Sequence, residues 1–216
     1  MPTAPSPSGG CSSTCSAERG DDVRRISVTN NVSLDGVMQS PMSADEDTRG
    51  GFSLGGWALG GGGDPELAAE MATGMARSGG MLFGHRTYDH MEAFWPRQTD
   101  GNPFTEHLDR SQKYVVSRDP TLTFSWQNST LLAGDAVERV GELKATDGGD
   151  LSILGSGELV RALATAGLID EYVLIIHPLL LGSGRRMFDG VHQELELLSS
   201  LTTSTGITLA RYAPRR

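Results

Sequence analysis

Short apolar runs alternate along the chain with longer stretches in which apolar residues recur every three or four positions. The short runs predict eight β-strands, at residues 24–32, 81–83, 113–117, 131–132, 151–154, 172–177, 195–202 and 207–212. The longer stretches predict four helices, at residues 65–78, 87–93, 136–145 and 158–166. Helices and strands alternate first, and strands follow one another at the end. This order predicts an α/β fold whose sheet is parallel in the middle and antiparallel at its C-terminal edge.

The first predicted helix has clear boundaries. Asp64 can cap its N-terminus, Pro65 suits the first helical position, and a glycine pair at residues 79–80 would stop it. Leu67, Met71 and Met75 recur every four residues. We interpret this stripe as core packing, because methionines at helical spacing usually fill a core.

The segment from residue 50 to 63 contains more glycine than any other residue type. Such a composition disfavours regular structure, because glycine loses the most backbone entropy when it is ordered. The segment also carries one large aromatic residue, Trp57. We therefore predict a mobile loop with Trp57 as its single anchor.

Residues 1–22 are rich in proline, serine and glycine and have little apolar surface to bury. This composition predicts a disordered extension, followed by one domain at residues 23–213. The segment lacks the apolar middle region of a secretory signal, and no apolar run is long enough for a membrane span. We therefore expect a cytoplasmic protein with no membrane partner. Cys11 and Cys15 both lie in this extension, where two isolated cysteines are a better interpretation than a metal or redox site.

The overall charge limits the possible ligands. A net charge of −9 argues against nucleic-acid binding, which favours a basic surface. An anionic ligand would have to be held by local arginines and helix ends. The histidines lack zinc-ligand spacing, so we predict no metal site. A Walker A sequence and a G-x-S-x-G sequence are absent, which leaves hydrolase chemistry with little support.

Small or polar residues follow three of the predicted strands. They form the turns Gly84–Thr87, Ser117–Arg118 and Gly155–Gly157. A strand that ends in small residues and leads into a helix leaves backbone N–H groups unpaired at the positive end of the helix dipole, which suits an anion. Two of the turns also carry an arginine, Arg86 and Arg118. Three such turns indicate a ligand with several phosphates, such as NADPH. The glycines at 155 and 157 are an incomplete Rossmann fingerprint, because Val160 replaces the third glycine.

These turns lie within blocks that resemble a known superfamily. The blocks are FGHRTY at 83–88, YVVSR at 114–118 and ILGSGEL at 153–159, with SLDG at 33–36, GLIDE at 167–171, HP at 177–178 and LGSG at 181–184. Together they resemble the dihydrofolate reductase-like superfamily, and within it the C-terminal reductase domain of the riboflavin-biosynthesis deaminase-reductase. The resemblance covers residues 24–213. It implies a three-layer α/β/α fold with a mixed, mostly parallel sheet and antiparallel C-terminal strands.

The resemblance also implies an NADPH-dependent reductase that transfers a hydride to a small heterocyclic or carbonyl/imine substrate, as 5-amino-6-(5-phosphoribosylamino)uracil reductase does. Two alternatives stay open: an NADPH-binding protein without catalysis, acting as a sensor or assembly partner, and a true dihydrofolate reductase. Folate chemistry is the weaker alternative, because Ala68 stands where that enzyme's proton-donating carboxylate would align.

The resemblance assigns roles to the turn residues. A phosphate would lie on Gly84, Arg86 and Thr87, and the adenosine 2′-phosphate on Ser117 and Arg118. The backbone around Val28, Thr29 and Gly36 would face the nicotinamide. The pyrophosphate would lie at the start of a helix, on Gly155, Ser156, Gly157, Glu158 and Leu159.

The substrate is expected between the nicotinamide, the turn at Asp35 and the glycine-rich loop, with Trp57 as a lid contact. Hydride transfer needs a dry pocket, and substrate entry needs a segment that can open. Asp35 is the first candidate for a catalytic polar group, although a plain Asp-Gly turn is the competing interpretation. Glu70 is the second candidate, because its helix lines the pocket in the resembling superfamily. Arg185 and Arg186 are candidates for binding a substrate phosphate.

The C-terminal strands lead us to expect a homodimer. The apolar runs at 172–181 and 207–212 are long for a sheet edge, and such edges are usually covered or paired. Related reductase domains are also often dimeric.

Overall fold

The computed structural model of the protein describes residues 23–59, 64–99 and 101–215. The predicted disordered extension at residues 1–22 and the last part of the glycine-rich segment, residues 60–63, lie outside the described residues.

The described chain forms strands and helices in an alternating order. The strands are β1 (Ile26–Ser33), β2 (Ser78–Gly84), β3 (Lys113–Ser117), β4 (Ser129–Ala133), β5 (Asp150–Leu154), β6 (Glu171–His177), β7 (Leu195–Thr202) and β8 (Thr208–Pro214). The helices are α1 (Pro65–Arg77), α2 (His85–Phe94), α3 (Pro103–Arg110), α4 (Ala136–Lys144) and α5 (Gly157–Thr165). Short 3₁₀ turns lie at Arg49–Gly51 and Trp95–Arg97. None of these helices has the length and apolar character that crossing a bilayer requires.

The strands form one mixed sheet in the order β4-β3-β2-β5-β1-β6-β8-β7. The first six strands of this order, from β4 through β3, β2, β5 and β1 to β6, are parallel to one another. Strand β8 pairs antiparallel with both β6 and β7. The six parallel strands therefore all end at one edge of the sheet, which we call the carboxyl edge. Ligands of open α/β sheets bind at this edge, beyond the ends of the strands.

Helices cover both faces of the sheet because its central strands are apolar on both sides. On β2, Leu82 packs with residues of α4 and α5, whereas its neighbours Met81 and Phe83 pack with Tyr88 of α2 and Leu108 of α3. This alternation is the period-two pattern of a strand buried on both faces. The predicted three-layer α/β/α fold is confirmed.

Two sequence predictions about single elements are wrong. Helix α3 was not predicted; Asn102 caps it and Pro103 occupies its first position, but eight residues give too short a pattern to recognise. The apolar stripe of α1 is not core, because no residue of this helix is buried. Leu67 and Met71 only partly cover Val173 and Ile175 of β6.

The prediction of the sheet edge is also wrong. Strands β6 and β8 are internal, and β7 is the C-terminal edge. The hydrophobic pattern could not show this, because β7 pairs with the strand that follows it in sequence while β8 returns to β6.

The segment after β1 is irregular, as predicted, but it has more than one anchor. Phe52 and Ala58 are buried in addition to the contacts of Trp57. The buried Gln39 side chain donates from Nε2 to the carbonyls of Asp47 and Arg49, at 3.0 and 2.9 Å. Its Oε1 accepts from the Arg185 backbone N–H at 2.9 Å. The buried Gln39 side chain thus holds this segment against the loop after β6. Because Phe52 and Ala58 are buried, the prediction of a single anchor in residues 50–63 is wrong.

Candidate functional site

The carboxyl edge brings the three predicted turns side by side. Ser117 ends β3, Gly84 ends β2 and Gly155 follows β5, and these strands are neighbours in the sheet. The Ser156 hydroxyl joins two of the turns, because Oγ accepts from the Gly84 N–H at 3.0 Å. Three turns that are far apart in sequence therefore form one continuous surface.

The helices at two of these turns differ from the others at their N-termini. Side chains of Asp64, Asn102 and Asp135 cap α1, α3 and α4. Helices α2 and α5 follow Gly84 and Ser156 and have no side-chain cap. Their first N–H groups therefore remain available at the positive ends of the helix dipoles, which is the arrangement that binds anions.

The turn before α5 has a specific backbone geometry. Gly155 and Ser156 have φ angles of 64° and 56°, in the left-handed region. Asn30, which is buried on β1, holds this turn with two hydrogen bonds. Its Oδ1 accepts from the Gly155 N–H at 2.8 Å, and its Nδ2 donates to the Gly155 carbonyl at 3.2 Å. The amide side chain therefore fixes a conformation that costs free energy at the serine.

Gly157 is the first residue of α5, and it lies against a side chain. A Cβ atom at this position would come within 2.6 Å of the Met38 sulfur. Glycine at 157 therefore makes room for Met38 in this structure. A larger residue would first displace Met38, so a substitution at 157 would not test pyrophosphate binding alone.

Glu158 lies at the second position of α5, and three arginines surround it. Its Oε1 is 3.0 Å from Nη1 of Arg185, 3.4 Å from Nη1 of Arg86 and 3.7 Å from Nη1 of Arg49. Burial alone would raise the pKa of Glu158, but the guanidinium groups of Arg86, Arg185 and Arg49 outweigh it and lower the pKa. The carboxylate is therefore ionised, and positive charge is concentrated at the start of the helix.

Ser117 and Arg118 lie at the end of β3. The Ser117 hydroxyl oxygen accepts from the Asp119 N–H at 3.1 Å and so shapes the turn. Arg118 is exposed, and within the described residues it has neither a hydrogen-bond nor an ion-pair partner. A surface guanidinium without a protein partner can reorient toward an anionic ligand at small cost.

Two residues predicted to bind the cofactor have buried side chains. Val28 is fully buried in the core, and its strand pairs with β5 and β6 on its two sides, so the structure places it within the sheet rather than at the carboxyl edge. Leu159 also packs into this core, which leaves only its backbone N–H for a ligand. By contrast, Gly36 lies at a turn with φ of 81°, and its carbonyl accepts from the Met187 N–H at 3.0 Å.

Asp35 is held by several donors. Its Oδ1 accepts from the Ser33 hydroxyl at 2.6 Å and from the Leu181 N–H at 3.1 Å, and its Oδ2 accepts from the Gly182 N–H at 2.9 Å. These three hydrogen bonds, with that from Ser33 the strongest, lower its pKa to about 2. The carboxylate therefore stays ionised at neutral pH and holds the loop after β6. This state does not suit a proton donor.

Trp57 also reaches the carboxyl edge. Its ring packs edge to face on His177 at 5.3 Å between centroids, and its Nε1 donates to the Gln39 carbonyl at 2.8 Å. His177 ends β6, and its Nε2 lies 2.9 Å from Oδ1 of Asn31 on β1. Burial lowers the pKa of His177, so the ring is neutral at pH 7. A polar group and an aromatic ring therefore stand beside the turn of Asp35.

Glu70 lies away from the turn of Asp35, in a cleft between α1 and the sheet. Its Oε2 accepts from Arg211 at 3.1 Å, and Arg211 also donates to Glu171 at 2.9 Å. Glu171 begins β6 and His177 ends it, so at about 3.3 Å per residue they are about 20 Å apart. The structure therefore does not bring together the two carboxylates that were predicted to be catalytic.

Polar side chains form part of the floor of this cleft. Ser27 and Thr29 of β1 and Ser152 of β5 line it, with Met71 and Met75 of α1 on the opposite wall. Its open space is about 60 Å³. Asn31 follows on the same face of β1, so a stripe of polar side chains leads from the cleft to His177 and Trp57.

Sequence reasoning missed several residues of this site. Asn30 and Asn31 were assigned only to a strand, although an amide at a buried strand position usually signals a specific hydrogen bond. The contacts of His177 could not be predicted, because its neighbours Asn31 and Trp57 are more than 100 residues away in sequence. Arg49 gave no signal, since only the tertiary structure brings it to Glu158.

The fold is that of the dihydrofolate reductase-like class. Within this class, residues 24–209 match the RibD C-terminal domain family. The chain belongs to this family.

Individual proteins are also similar to this chain. The chain is 30% identical over 140 residues to YyaP of Bacillus subtilis, an uncharacterised protein, covering 61% of this chain and 72% of that protein. A Thermotoga maritima diaminohydroxyphosphoribosylaminopyrimidine deaminase/5-amino-6-(5-phosphoribosylamino)uracil reductase superposes with a TM-score of 0.59 at 13% identity, covering 89% of this chain and 57% of that one. Dihydrofolate reductase of Enterococcus faecalis, in complex with NADP(H), superposes with a TM-score of 0.54 at 11% identity, covering 89% and 97%. At these identities the two structures support the fold alone.

Proposed function

We propose that the protein is an NADPH-dependent reductase of a small heterocyclic or carbonyl/imine substrate. The observation that carries the proposal is the row of turns along the carboxyl edge, with the uncapped N-termini of α2 and α5 and the exposed guanidinium of Arg118. Membership of the RibD C-terminal domain family and the similarity to an NADP(H) complex of dihydrofolate reductase support the choice of cofactor.

An extended dinucleotide fits the order of the strands. From β3 to β1 the sheet crosses β2 and β5, which makes three spacings of about 4.8 Å each. The 2′-phosphate would bind Ser117 and Arg118, and the phosphates would bind the N–H groups that begin α2 and α5. The nicotinamide would then lie beyond the ends of β5 and β1, near Gly36. Thr87 lies against the Gly155 turn, because a Cβ atom on Gly155 would be 3.2 Å from the Thr87 methyl group.

The substrate would bind beside Trp57, His177 and Asn31. When bound, NADPH supplies the hydride that reduces the substrate. The aromatic ring of Trp57 would exclude water, and the Asn31 and His177 side chains offer hydrogen bonds to a heterocycle or a carbonyl. The carboxylate of Asp35 would act by holding the adjacent loop. Glu70 would fix α1 to the sheet through Arg211.

Cofactor selectivity tests the proposal at Arg118. The Arg118→Ala variant should bind NADPH about 10- to 100-fold more weakly, because a hydrogen bond to a charged group contributes about 1.5–3 kcal/mol. Its affinity for NADH should stay within about twofold, since NADH lacks the 2′-phosphate. Fluorescence titrations with both cofactors measure this. Arg97→Ala is the matched control, because Arg97 is also exposed but follows the far end of α2.

Equal affinities of the wild-type protein for NADPH and NADH would contradict the assignment of Ser117 and Arg118. Binding and catalysis can be separated in the same preparation. NADPH oxidation over a panel of substrates supports a reductase, whereas tight binding without oxidation of any substrate would favour a binding protein.

A further inference from the structure

The cluster at the start of α5 has more positive than negative charge. Arg49, Arg86 and Arg185 come from three different segments, the irregular segment after β1, helix α2 and the loop after β6. All three lie within 4.0 Å of one oxygen of Glu158. Arg49 is also paired with Asp47, but Glu158 is the carboxylate that the three arginines share. In a chain with a net charge of −9, such convergence needs a local explanation.

The geometry around this oxygen is that of a phosphate site. Guanidinium groups from several directions and the N–H groups of a helix start are the donors that bind phosphate most strongly. The α5 N-terminus lacks a side-chain cap, and Glu158, at its second position, lies close to it. The Glu158 carboxylate therefore occupies the place where an anion would meet the three guanidinium groups.

We infer that Arg49, Arg86 and Arg185 bind a phosphate group of the ligand and that Glu158 occupies their site as an internal counter-ion in the free protein. The inference rests on the proposed function for the identity of the ligand, the pyrophosphate of a dinucleotide. It adds Arg49 and Arg185 to that site and gives Glu158 a competing role. When the phosphate binds, it replaces the Glu158 carboxylate as the partner of the three guanidinium groups, and the Glu158 side chain turns to solvent.

Removing the charge of Glu158 tests this inference directly. In Glu158→Gln no carboxylate competes with the phosphate for the arginines, so inorganic pyrophosphate should bind roughly tenfold more tightly. Each exposed ion pair contributes little free energy, but this substitution removes three at once. Isothermal titration calorimetry measures the affinity. Glu142→Gln is the matched control, because Glu142 is an exposed helical carboxylate paired with Arg139 and its loss changes the net charge equally.

A second substitution tests the arginines. Adding Arg185→Gln to Glu158→Gln should remove the gain in pyrophosphate affinity. Glu158 is exposed, so both variants should keep the wild-type melting temperature. Glu158→Ala serves as a second variant should the glutamine hold the arginines by hydrogen bonds.

The outcomes separate this inference from the proposed function. Tighter pyrophosphate binding without NADPH binding would support the phosphate site and contradict the cofactor. Unchanged or weaker pyrophosphate binding in both Glu158→Gln and Glu158→Ala would overturn the inference, and would show that Glu158 orients the arginines rather than competing for them. NADPH binding in that case would leave the proposed function intact.

Discussion

The carboxylate of Asp35, which was predicted to be catalytic, holds the loop after β6 in the structure. Its oxygens accept from the Ser33 hydroxyl and from the N–H groups of Leu181 and Gly182. From the sequence alone, the aspartate of an Asp-Gly pair could belong to a plain turn or could be a catalytic polar group. Only the neighbouring loop, 146 residues away, distinguishes these roles.

Asp35→Asn should therefore loosen the loop after β6. An amide keeps one acceptor but turns its NH₂ group toward backbone donors, so the amides of Leu181 and Gly182 should exchange roughly tenfold faster with deuterium. Hydrogen exchange detected by mass spectrometry checks this. The effect should not vary between pH 5 and 8, because a pKa of about 2 keeps the carboxylate ionised. Glu70→Gln is the matched carboxylate-to-amide control, and unchanged exchange in Asp35→Asn would show that Asp35 does not hold the loop.

At the scale of elements, Lys113 connects α3 to β3. The ammonium is fully buried and donates to the carbonyls of Leu108 and Ser111 at 2.6 and 2.8 Å, at the C-terminus of α3. It also lies 4.5 Å from the ring centroid of Trp126. Burial lowers the pKa of Lys113 to about 8, although the carboxylate of Asp109 opposes the shift. A cation thus ends a helix that sequence patterns did not predict.

The buried lysine makes stability depend on pH in a defined direction. Between pH 8 and 10.5 the unfolded chain still binds the proton that the folded protein has lost, so the free energy of unfolding should rise with pH. We expect a rise of about 1–3 kcal/mol between pH 7 and 10 from this group. Urea unfolding of the wild type and of Lys113→Met gives the difference in the free energy of unfolding, in which the contributions of other titrating groups cancel. A difference that is constant with pH would show that Lys113 stays protonated.

At the scale of the whole molecule, β7 leaves an open edge. Leu197 and Leu198 are 53% and 51% exposed, beside a shift of register with β8. Edge strands offer unpaired backbone groups, and natural proteins usually protect them with charges or a partner. Exposed leucines provide no such protection. We therefore propose that a second copy of the chain covers β7.

Sedimentation equilibrium should then give twice the chain mass of 23.0 kDa at micromolar concentration. Leu197→Lys should shift the protein to the monomer, because a charge on an edge strand opposes pairing. Leu180→Lys is the control, since Leu180 is an exposed leucine in the loop after β6. A wild-type monomer at this concentration would exclude the dimer.

The sequence alone determined the local features of the fold. Within the described residues, all eight strands and four of the five α-helices follow from hydrophobic periodicity and from capping residues such as Asp64 and Asp135. The turns at Gly84, Ser117 and Gly155 were also recognisable, because small residues after a strand restrict the backbone locally. These signals depend only on residues that are close in sequence, so they can be recognised without knowledge of the fold.

The tertiary structure decided which of these features meet. The sheet order places β5 between β2 and β1, so that Asn30 holds Gly155 from 125 residues away. The same order separates Glu70 from Asp35, makes β7 the edge and brings Arg49 to Glu158. Local patterns cannot specify such contacts, because they depend on how the elements pack and not on the residues beside them in sequence.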